Sequence, residues 1–224
     1  MISPPVARLE GVSKEFASND APVPVLRDVD LTIRAGDKVS LVGESGSGKS
    51  TLLSLIAGLL RPTAGSVAID GVPISDLGDQ ERAQLRAARI GIALQADNLI
   101  PFLSARENVE LALGFGGRRN RRVERERSME LLERFDVAHR ADHRPRHLSG
   151  GEAQRVALAV SMANDPALLL ADEVVAQLDH GTATRVVDEV LSAEFAVLFV
   201  SHDVALADLA DRRYVLIDSE LVAR

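Results

Sequence analysis

The sequence predicts an α/β fold with a parallel sheet at its core. Three short apolar segments carry this prediction, at Val39–Val42, Ala167–Ala171 and Ala196–Val200. Such uninterrupted segments are typical of strands in a sheet covered on both faces, because a strand with one solvated face alternates apolar and polar residues. Helical patterns lie between the segments along the chain, and this alternation of strands with helices indicates an α/β organisation.

The other predicted elements add two subdomains to this core. Further strands are predicted at Val6–Val12, Val25–Ile33, Ser66–Ile69, Ile90–Leu94 and Tyr214–Ile217. Helices are predicted at Lys49–Leu59, Asp79–Ala88, Ala105–Leu113, Arg121–Phe135, Gly150–Asn164, Thr182–Glu194 and Val204–Leu209. A hairpin-like segment ending at Asp70-Gly71 indicates an antiparallel N-terminal β subdomain. Residues 96–160 contain no convincing strand, so we predict an α-helical subdomain there, inserted between core segments 1–95 and 161–224.

Composition and charge exclude several classes of protein. The chain of 224 residues has no cysteine, which excludes disulfides, thiol catalysis and iron–sulfur ligation. Its formal net charge of −7 argues against a nucleic-acid partner. It contains no signal-peptide pattern and no apolar segment near the ~20 residues that span a bilayer, so we expect a soluble or peripheral protein. The polar segment 116–127 is either a basic patch for an acidic partner or a loop leading into a solvated helix.

A complete phosphate-binding loop of the pattern G-x-x-x-x-G-K-[ST] follows the first core segment. Its residues, with the first helical residue after it, are Gly43, Glu44, Ser45, Gly46, Ser47, Gly48, Lys49, Ser50 and Thr51. The glycines allow successive N–H groups to point at an anion, and the helix that follows adds the positive end of its dipole. Lys49 would bind the β- and γ-phosphates, and the Ser50 hydroxyl would bind Mg²⁺. The sequence therefore predicts a nucleoside triphosphate site in a P-loop NTPase fold.

Two carboxylates end the second core segment, at Asp172 and Glu173. Ligands of α/β sheets bind at the carboxyl ends of the strands, so both acids are candidates for the same site. Asp172 would hold Mg²⁺ through a water, because Mg²⁺ keeps several waters and takes few protein carboxylates. Glu173 would face the γ-phosphate and polarise the attacking water.

A second motif, Leu-Ser-Gly-Gly-Glu at residues 148–152, starts a predicted helix. Ser149 is suited to cap that helix, and Glu152 three residues later completes a capping box. Gly150 and Gly151 leave backbone N–H groups open to an anion. Together with the phosphate loop and the Asp-Glu strand end, this motif resembles the signature of ATP-binding cassette (ABC) proteins, and the resemblance extends over nearly the whole chain.

The resemblance implies a RecA-like core and roles for four further residues. Phe16 matches the aromatic residue that stacks on adenine, with Val25 beside it. Gln95 matches the glutamine that contacts Mg²⁺ or the water and reports the γ-phosphate to the helical subdomain. His202 matches the histidine that hydrogen-bonds the γ-phosphate. Lys49, Gln95, Glu173 and His202 would then form the catalytic set for ATP hydrolysis, with ATP and Mg²⁺ as cofactors.

The resemblance also implies partners. Two cassettes of this family pair head to tail, so Ser149, Gly150 and Gly151 would act on the ATP of a second copy, and Asp179 would lie across the dimer interface. The segments at 16–31, 59–65 and 97–109 resemble the cassettes that serve macrolide-efflux, lipoprotein-release and antimicrobial-peptide permeases and the related cell-division pair. We therefore expect a peripheral ATPase subunit on the cytoplasmic face of the inner membrane, driving a separate permease, with export as the implied direction.

Three questions stay open at this stage. The apolar segment Leu99–Leu103 either docks the permease, within a docking region at 96–104, or covers the core of the helical subdomain. The chain could instead be a regulatory ATPase that controls a membrane partner, such as a cell-wall hydrolase, without transport; soluble translation or DNA-repair cassettes are disfavoured. Some residues depart from the family pattern and predict slow or partner-dependent hydrolysis; they are Val160, Val174, Val175 and Gln177.

Overall fold

The protein is described from a computed structural model, which covers residues 4–18, 21–93, 99–117, 120–172, 180–201 and 204–224. The chain forms two compact units, one of Met1–Ala83 with Glu194–Arg224 and the other of Gln84–Ala193. We call them unit 1 and unit 2. The predicted limits of the helical subdomain, 96–160, stay a prediction. Among the described residues, no helix has the length and apolar character needed to cross a bilayer.

The described part of the chain contains ten strands, seven α-helices and two 3-10 turns, Ala138–Arg140 and Pro145–His147. The strands are β1 (Ala7–Phe16), β2 (Val23–Ile33), β3 (Lys38–Val42), β4 (Ala64–Ile69), β5 (Val72–Pro73), β6 (Ile90–Ala93), β7 (Leu168–Asp172), β8 (Ala196–Val200), β9 (Arg212–Ile217) and β10 (Glu220–Ala223). The helices are α1 (Lys49–Ile56), α2 (Asp79–Arg89), α3 (Ala105–Phe115), α4 (Arg121–Arg134), α5 (Gly150–Ser161), α6 (His180–Leu191) and α7 (Val204–Ala207).

Unit 1 contains the predicted antiparallel subdomain. Its strands lie in the order β2-β1-β4-β5, and all three pairings are antiparallel. The β4–β5 hairpin turns at Asp70 and Gly71, whose φ angles of 49° and 78° suit a tight two-residue hairpin turn. The sequence does not predict strand β5, because two residues are too few to form a hydrophobic pattern.

Unit 1 also carries a central parallel strand, β3, which pairs in parallel with β8 on one side and β9 on the other. The first four residues of β3 are buried, including Lys38 and Ser40. Both polar side chains are satisfied: Lys38 Nζ donates to Phe195 O at 2.6 Å, and Ser40 Oγ donates to Ala207 O at 3.0 Å. Burial lowers the pKa of Lys38, while Asp211 and Asp37 act in the opposite sense.

Unit 2 holds strands β6 and β7, which pair in parallel with Ile90 opposite Leu168 and Ala93 opposite Ala171. The two strands therefore end at the same edge. The apolar residues of β7 are fully buried, as predicted for a strand covered on both faces. Asn164 Nδ2 donates to Ala87 O at 3.2 Å and to Ala112 O at 2.8 Å, which ties the segment after α5 to the ends of α2 and α3.

The helices lie where the sequence predicts them, with ends that differ by a few residues. Helix α1 ends at Ile56 rather than Leu59, because the chain turns at Gly58, where φ is 65°. Helix α5 ends at Ser161 rather than Asn164, and α7 ends at Ala207 rather than Leu209. Strand β10 is a further element that the sequence does not predict; it pairs with β9 through a turn at Asp218 and Ser219, both with positive φ.

Candidate nucleotide-binding site

The phosphate loop, residues 43–48, joins the carboxyl end of β3 to the start of α1 within unit 1. Because β3 lies between two parallel neighbours, the loop leaves the sheet where α/β proteins bind their ligands. This is the strand–loop–helix context that the sequence predicts for a phosphate site.

At two of its glycines the loop approaches neighbouring residues so closely that a side chain is excluded. Gly48 has a φ of 107°, and a Cβ built on it would lie 2.9 Å from Val25 Cγ1 and 3.0 Å from Val25 O. A Cβ on Gly43 would lie 2.8 Å from Leu216 O. Residues of β2 and β9 thus pack against opposite ends of the loop sequence, and Val25 lies directly beside the N-terminus of α1.

Helix α1 begins without the caps that other helices have. Its N-cap residue, Gly48, makes no side-chain hydrogen bond, and its first turn contains no acidic residue. In contrast, side chains of Ser104, Asn120 and Ser149 cap helices α3, α4 and α5, each with a Glu in its first turn. No side-chain cap and no acidic side chain therefore opposes an anion at the positive end of the α1 dipole.

Two buried polar groups, one in this loop and one at the start of α1, fit a phosphate group. Lys49 is 7% exposed, and its Nζ donates to Gly43 O at 2.9 Å and to Glu44 O at 2.7 Å. The ammonium is thus held against the loop backbone, from where it can exchange a carbonyl for a phosphate oxygen. The hydroxyl of Ser47 is buried and has no hydrogen-bond partner within the part of the chain that the structure describes. Since a buried hydroxyl without a partner is costly, a phosphate oxygen would satisfy it.

The two residues predicted to contact the base lie in unit 1 with the loop. Phe16 is 40% exposed at the end of β1, where it pairs with Val23 of β2. The Nζ of Lys14 lies 5.1 Å from the centroid of the Phe16 ring and donates to Arg61 O at 2.9 Å. An exposed aromatic ring with a fixed neighbouring cation is suited to stacking on a planar base.

The carboxylate predicted to bind Mg²⁺ lies in unit 2. Asp172 is the half-buried last residue of β7, one position beyond the Ala93–Ala171 pair that ends β6. Its carboxylate, like the Ser50 hydroxyl of unit 1, offers oxygen, the ligand type that Mg²⁺ prefers. Several predicted residues lie outside the described part of the chain; they are Gln95, Glu173, Val174, Val175, Gln177, Asp179 and His202.

The signature segment starts α5 in unit 2, and the predicted capping box is present. Ser149 Oγ accepts from the backbone N–H of Glu152 at 3.2 Å, and Glu152 Oε2 accepts from the N–H of Ser149 at 2.7 Å. Ser149 and Gly150 are exposed, and Gly151 is half-buried. The start of α5 therefore presents a fixed hydroxyl and backbone N–H groups to solvent.

Sequence reasoning missed the residue that holds this capping box. Arg140 Nε donates to Glu152 Oε1 at 2.7 Å, and His139 Nε2 lies 3.5 Å from the same oxygen. The hydrogen bonds from Ser149 and Arg140 lower the pKa of Glu152 from 4.5 to about 2. Arg140 and Glu152 lie in different elements, and a periodic pattern relates residues only within one element, so no sequence pattern could have linked them.

The sequence profile of the ABC transporter family matches residues 26–176, more than half of the chain. The chain belongs to the ABC transporter family. The cassette is 40% identical over 224 residues to the lipoprotein-releasing system ATP-binding protein LolD 2 of Caulobacter vibrioides, and the match covers 98% of each chain. It is 45% identical over 210 residues to LolD of Paramagnetospirillum magneticum, with 92% of each chain covered.

A solved structure gives the same result for the fold. The cassette matches, with a TM-score of 0.93, the ATP-binding cassette MJ0796 of Methanocaldococcus jannaschii in a dimeric post-hydrolysis state bound to ADP and Pi. The two chains are 37% identical, and the match covers 97% of each. These findings confirm the predicted P-loop NTPase fold and the resemblance to the lipoprotein-release group. The cassette is an ATPase, the ATP-binding and ATP-hydrolysing subunit of an ABC transporter.

Proposed function

We propose that the cassette binds MgATP, pairs with a second copy and drives a separate membrane permease from the cytoplasmic face of the inner membrane. The observation that carries the ATP part is the uncapped start of α1 with Lys49 beside it. The partners are supported by the dimeric state of the MJ0796 structure and by the name of the lipoprotein-releasing relatives. Transport in the direction of export follows by the same analogy.

Each predicted site residue has a proposed role in an in-line attack of water on the γ-phosphorus. Lys49 neutralises charge on the β- and γ-phosphates, and its two backbone acceptors hold it near the loop until nucleotide arrives. Ser50 and Asp172 hold Mg²⁺, with Gln95 as a further oxygen ligand. Glu173 polarises the water. Mg²⁺ supplies charge stabilisation when bound.

The remaining residues bind the rest of the nucleotide. His202 hydrogen-bonds the γ-phosphate. Phe16 stacks on adenine with Val25 at its edge, since the ring is exposed and Val25 adjoins the loop at Gly48. The signature residues Ser149, Gly150 and Gly151 act on the ATP of the second copy, and Asp179 crosses the dimer interface; the exposed start of α5 supports this role.

The permease is proposed to dock at residues 96–104. Within the described part of this segment, Leu99 is 7% exposed and packs inward, whereas Phe102 is 69% exposed. Buried Asn108 organises the segment: its Oδ1 accepts from Ile100 N at 2.7 Å, and its Nδ2 donates to Ser104 O at 2.8 Å. The segment therefore both covers the core, through Leu99, and offers a fixed aromatic ring, Phe102, to a partner.

Slow or partner-dependent hydrolysis is proposed from the residues that depart from the family pattern. Val174, Val175 and Gln177 lie between Glu173 and Asp179 in the sequence. This segment would position the catalytic carboxylate of Glu173. Its altered sequence would therefore lower the rate of ATP hydrolysis more than the affinity for ATP. The purified cassette alone would then turn over slowly, and the permease would stimulate it.

The test is co-purification with the permease encoded beside the gene, followed by ATPase assays with and without that permease. The variants are Glu173→Gln as the inactive form and Phe102→Asp as the docking variant, with Val72→Asp as its exposed control on β5. The proposal is supported if the permease stimulates ATP turnover, if Glu173→Gln abolishes that turnover, and if Phe102→Asp removes the stimulation by the permease. If the cassette binds ATP but neither associates with the permease nor is stimulated by it, the proposed permease partner is wrong. That result would favour a nucleotide-gated regulator.

A further inference from the structure

We propose that Arg140 is a positioning residue for the signature segment, residues 148–152. Its guanidinium binds the carboxylate of Glu152, and that carboxylate holds the backbone of Ser149 at the start of α5, where the segment would bind ATP. This inference rests on the proposed role of the signature residues toward the nucleotide of a second copy. Arg140 itself would not touch ATP, because all of its effect passes through Glu152.

The carboxylate of Glu152 bridges the two residues with one oxygen each. Oε2 accepts from the N–H of Ser149 at 2.7 Å, and Oε1 accepts from Arg140 Nε at 2.7 Å. The Glu152 side chain is only 13% exposed, and its bond to Arg140 is charge-assisted. Since both carboxylate oxygens are used, the rotation of Glu152 that would release Ser149 also breaks the bond to Arg140.

Arg140 is itself held by a rigid segment. It ends a 3-10 turn, Ala138–Arg140, that lies between buried Val137 and buried Ala141. The carbonyl of Ala141 accepts from the N–H of Arg106 at 2.9 Å, and the carbonyl of Arg140 accepts from the N–H of His143 at 2.8 Å. Its Nη1 also lies 3.5 Å from His143 Nε2. The guanidinium is therefore presented to Glu152 from fixed backbone.

The same unit contains a second capping box that lacks this arrangement. At the start of α3, Ser104 Oγ accepts from Glu107 N at 3.2 Å, and Glu107 Oε2 accepts from Ser104 N at 2.7 Å. Within the described residues no arginine side chain donates a hydrogen bond to Glu107. The hydrogen bonds of Ser104 lower the pKa of Glu107, and the charges of Arg106 and Arg144 act in the same direction without such a bond. A hydrogen-bonded arginine therefore distinguishes the capping box of α5 from that of α3.

The test separates dimer formation from nucleotide binding. In the full-length Glu173→Gln cassette, sedimentation velocity measures the ATP concentration at half-maximal dimerisation, and a fluorescent ATP analogue measures the affinity of the monomer. We expect Arg140→Gln to raise the dimerisation midpoint about tenfold, the effect of losing a charge-assisted hydrogen bond, with monomer affinity changed less than about twofold. Arg140→Lys should recover part of the effect, because its ammonium can still reach a carboxylate oxygen.

Two controls make the result specific. Arg122→Gln removes an exposed ion pair with Glu126 on α4, and Glu107→Gln weakens the other capping box; neither should move the midpoint. An unchanged midpoint in Arg140→Gln, or a shift matched by Glu107→Gln, would overturn the inference. So would an equal loss of monomer affinity, which would mean a general structural role.

A signature variant, Gly151→Asp, distinguishes this failure from that of the proposed function. If Gly151→Asp blocks dimerisation while Arg140→Gln does not, only the role of Arg140 is wrong. If Gly151→Asp dimerises normally, the proposed action of the signature on a second copy is wrong, and the role of Arg140 is overturned with it. Should Arg140→Gln fail to fold, Glu152→Gln tests the same bridge from its other side, with the same expected rise in midpoint.

Discussion

Gly48 packs so tightly against Val25 that a Cβ on Gly48 would lie 2.9 Å from Val25 Cγ1. This contact joins the phosphate loop to β2, whose Val23 pairs with Phe16, the residue proposed to stack on adenine. Gly48 is at once the N-cap of α1 and a residue with a φ of 107°. The position therefore combines a steric requirement with a conformational one.

We expect Gly48→Ala to abolish nucleotide binding and to destabilise the fold. The positive φ alone costs about 1–2 kcal/mol for a residue with a Cβ, and the clash with Val25 must then displace the loop. Gly71→Ala is the matched control, because Gly71 has a φ of 78° and a Cβ on it would meet no atom of the described residues within 4 Å. It should lose only the conformational part of that stability in urea unfolding and still bind the ATP analogue; equal binding by both variants would contradict the prediction.

Lys49→Ala should remove ATPase activity while leaving the fold intact. The ammonium donates to backbone carbonyls of the adjoining loop, at Gly43 and Glu44. Both hydrogen bonds are local, so their loss does not separate distant elements. We expect the melting temperature to change little and ATP affinity to fall by more than about tenfold, since the charge on two phosphates loses its cation. Arg8→Ala, which removes an exposed cation of unit 1 that pairs with Glu10, is the comparison; retained turnover in Lys49→Ala would refute the assignment.

Phe16→Ala should weaken ATP binding without affecting the fold. Base–aromatic stacking contributes about 1–3 kcal/mol, so we expect a loss of affinity of about tenfold or more. Phe16→Tyr should bind normally, because the ring is retained. Val72→Ala, at a comparably exposed apolar residue of the same sheet, should have no effect on affinity. The prediction fails if Phe16→Ala binds ATP as tightly as the parent in a calorimetric titration.

The two capping serines offer a matched pair. Ser149→Ala and Ser104→Ala each remove an N-cap from an equivalent box, and each should cost about 1 kcal/mol of unfolding free energy. Only Ser149→Ala should also weaken ATP-dependent dimerisation. Similar effects of both serines on dimerisation would mean that the hydroxyl of Ser149 acts through helix stability alone.

The free energy of unfolding should decrease at acid pH, and protonation of Glu152 should account for part of the decrease. Its pKa is about 2 in the folded protein against an ordinary value of 4.5, so the charged form is favoured by folding. This contribution is complete above the ordinary value and is lost as the pH falls from there towards the folded pKa. Urea midpoints measured between these limits should fall less steeply for Glu152→Gln than for the parent, and identical slopes would contradict this account.

Much of the fold could be predicted because it depends on patterns that are local in sequence. The buried strands β3, β7 and β8 are evident from continuous apolar segments, and the phosphate loop from its spacing. Strands β5 and β10 escape prediction because short hairpin partners are stabilised by the strand they pair with rather than by their own residues. The overlong prediction for α1 missed the stop at Gly58, whose φ of 65° is a common way for a helix to end.

The sequence by itself determined the chemistry of this protein: the phosphate loop, the strand-end acids and the signature segment are runs of neighbouring residues, and a short motif specifies its own backbone geometry. Tertiary structure alone decided how these parts are supported. The close approach of Val25 to Gly48 joins residues 23 positions apart, and the bond from Arg140 to Glu152 joins residues 12 apart. Such contacts have no period along the chain, so only the folded protein brings them together.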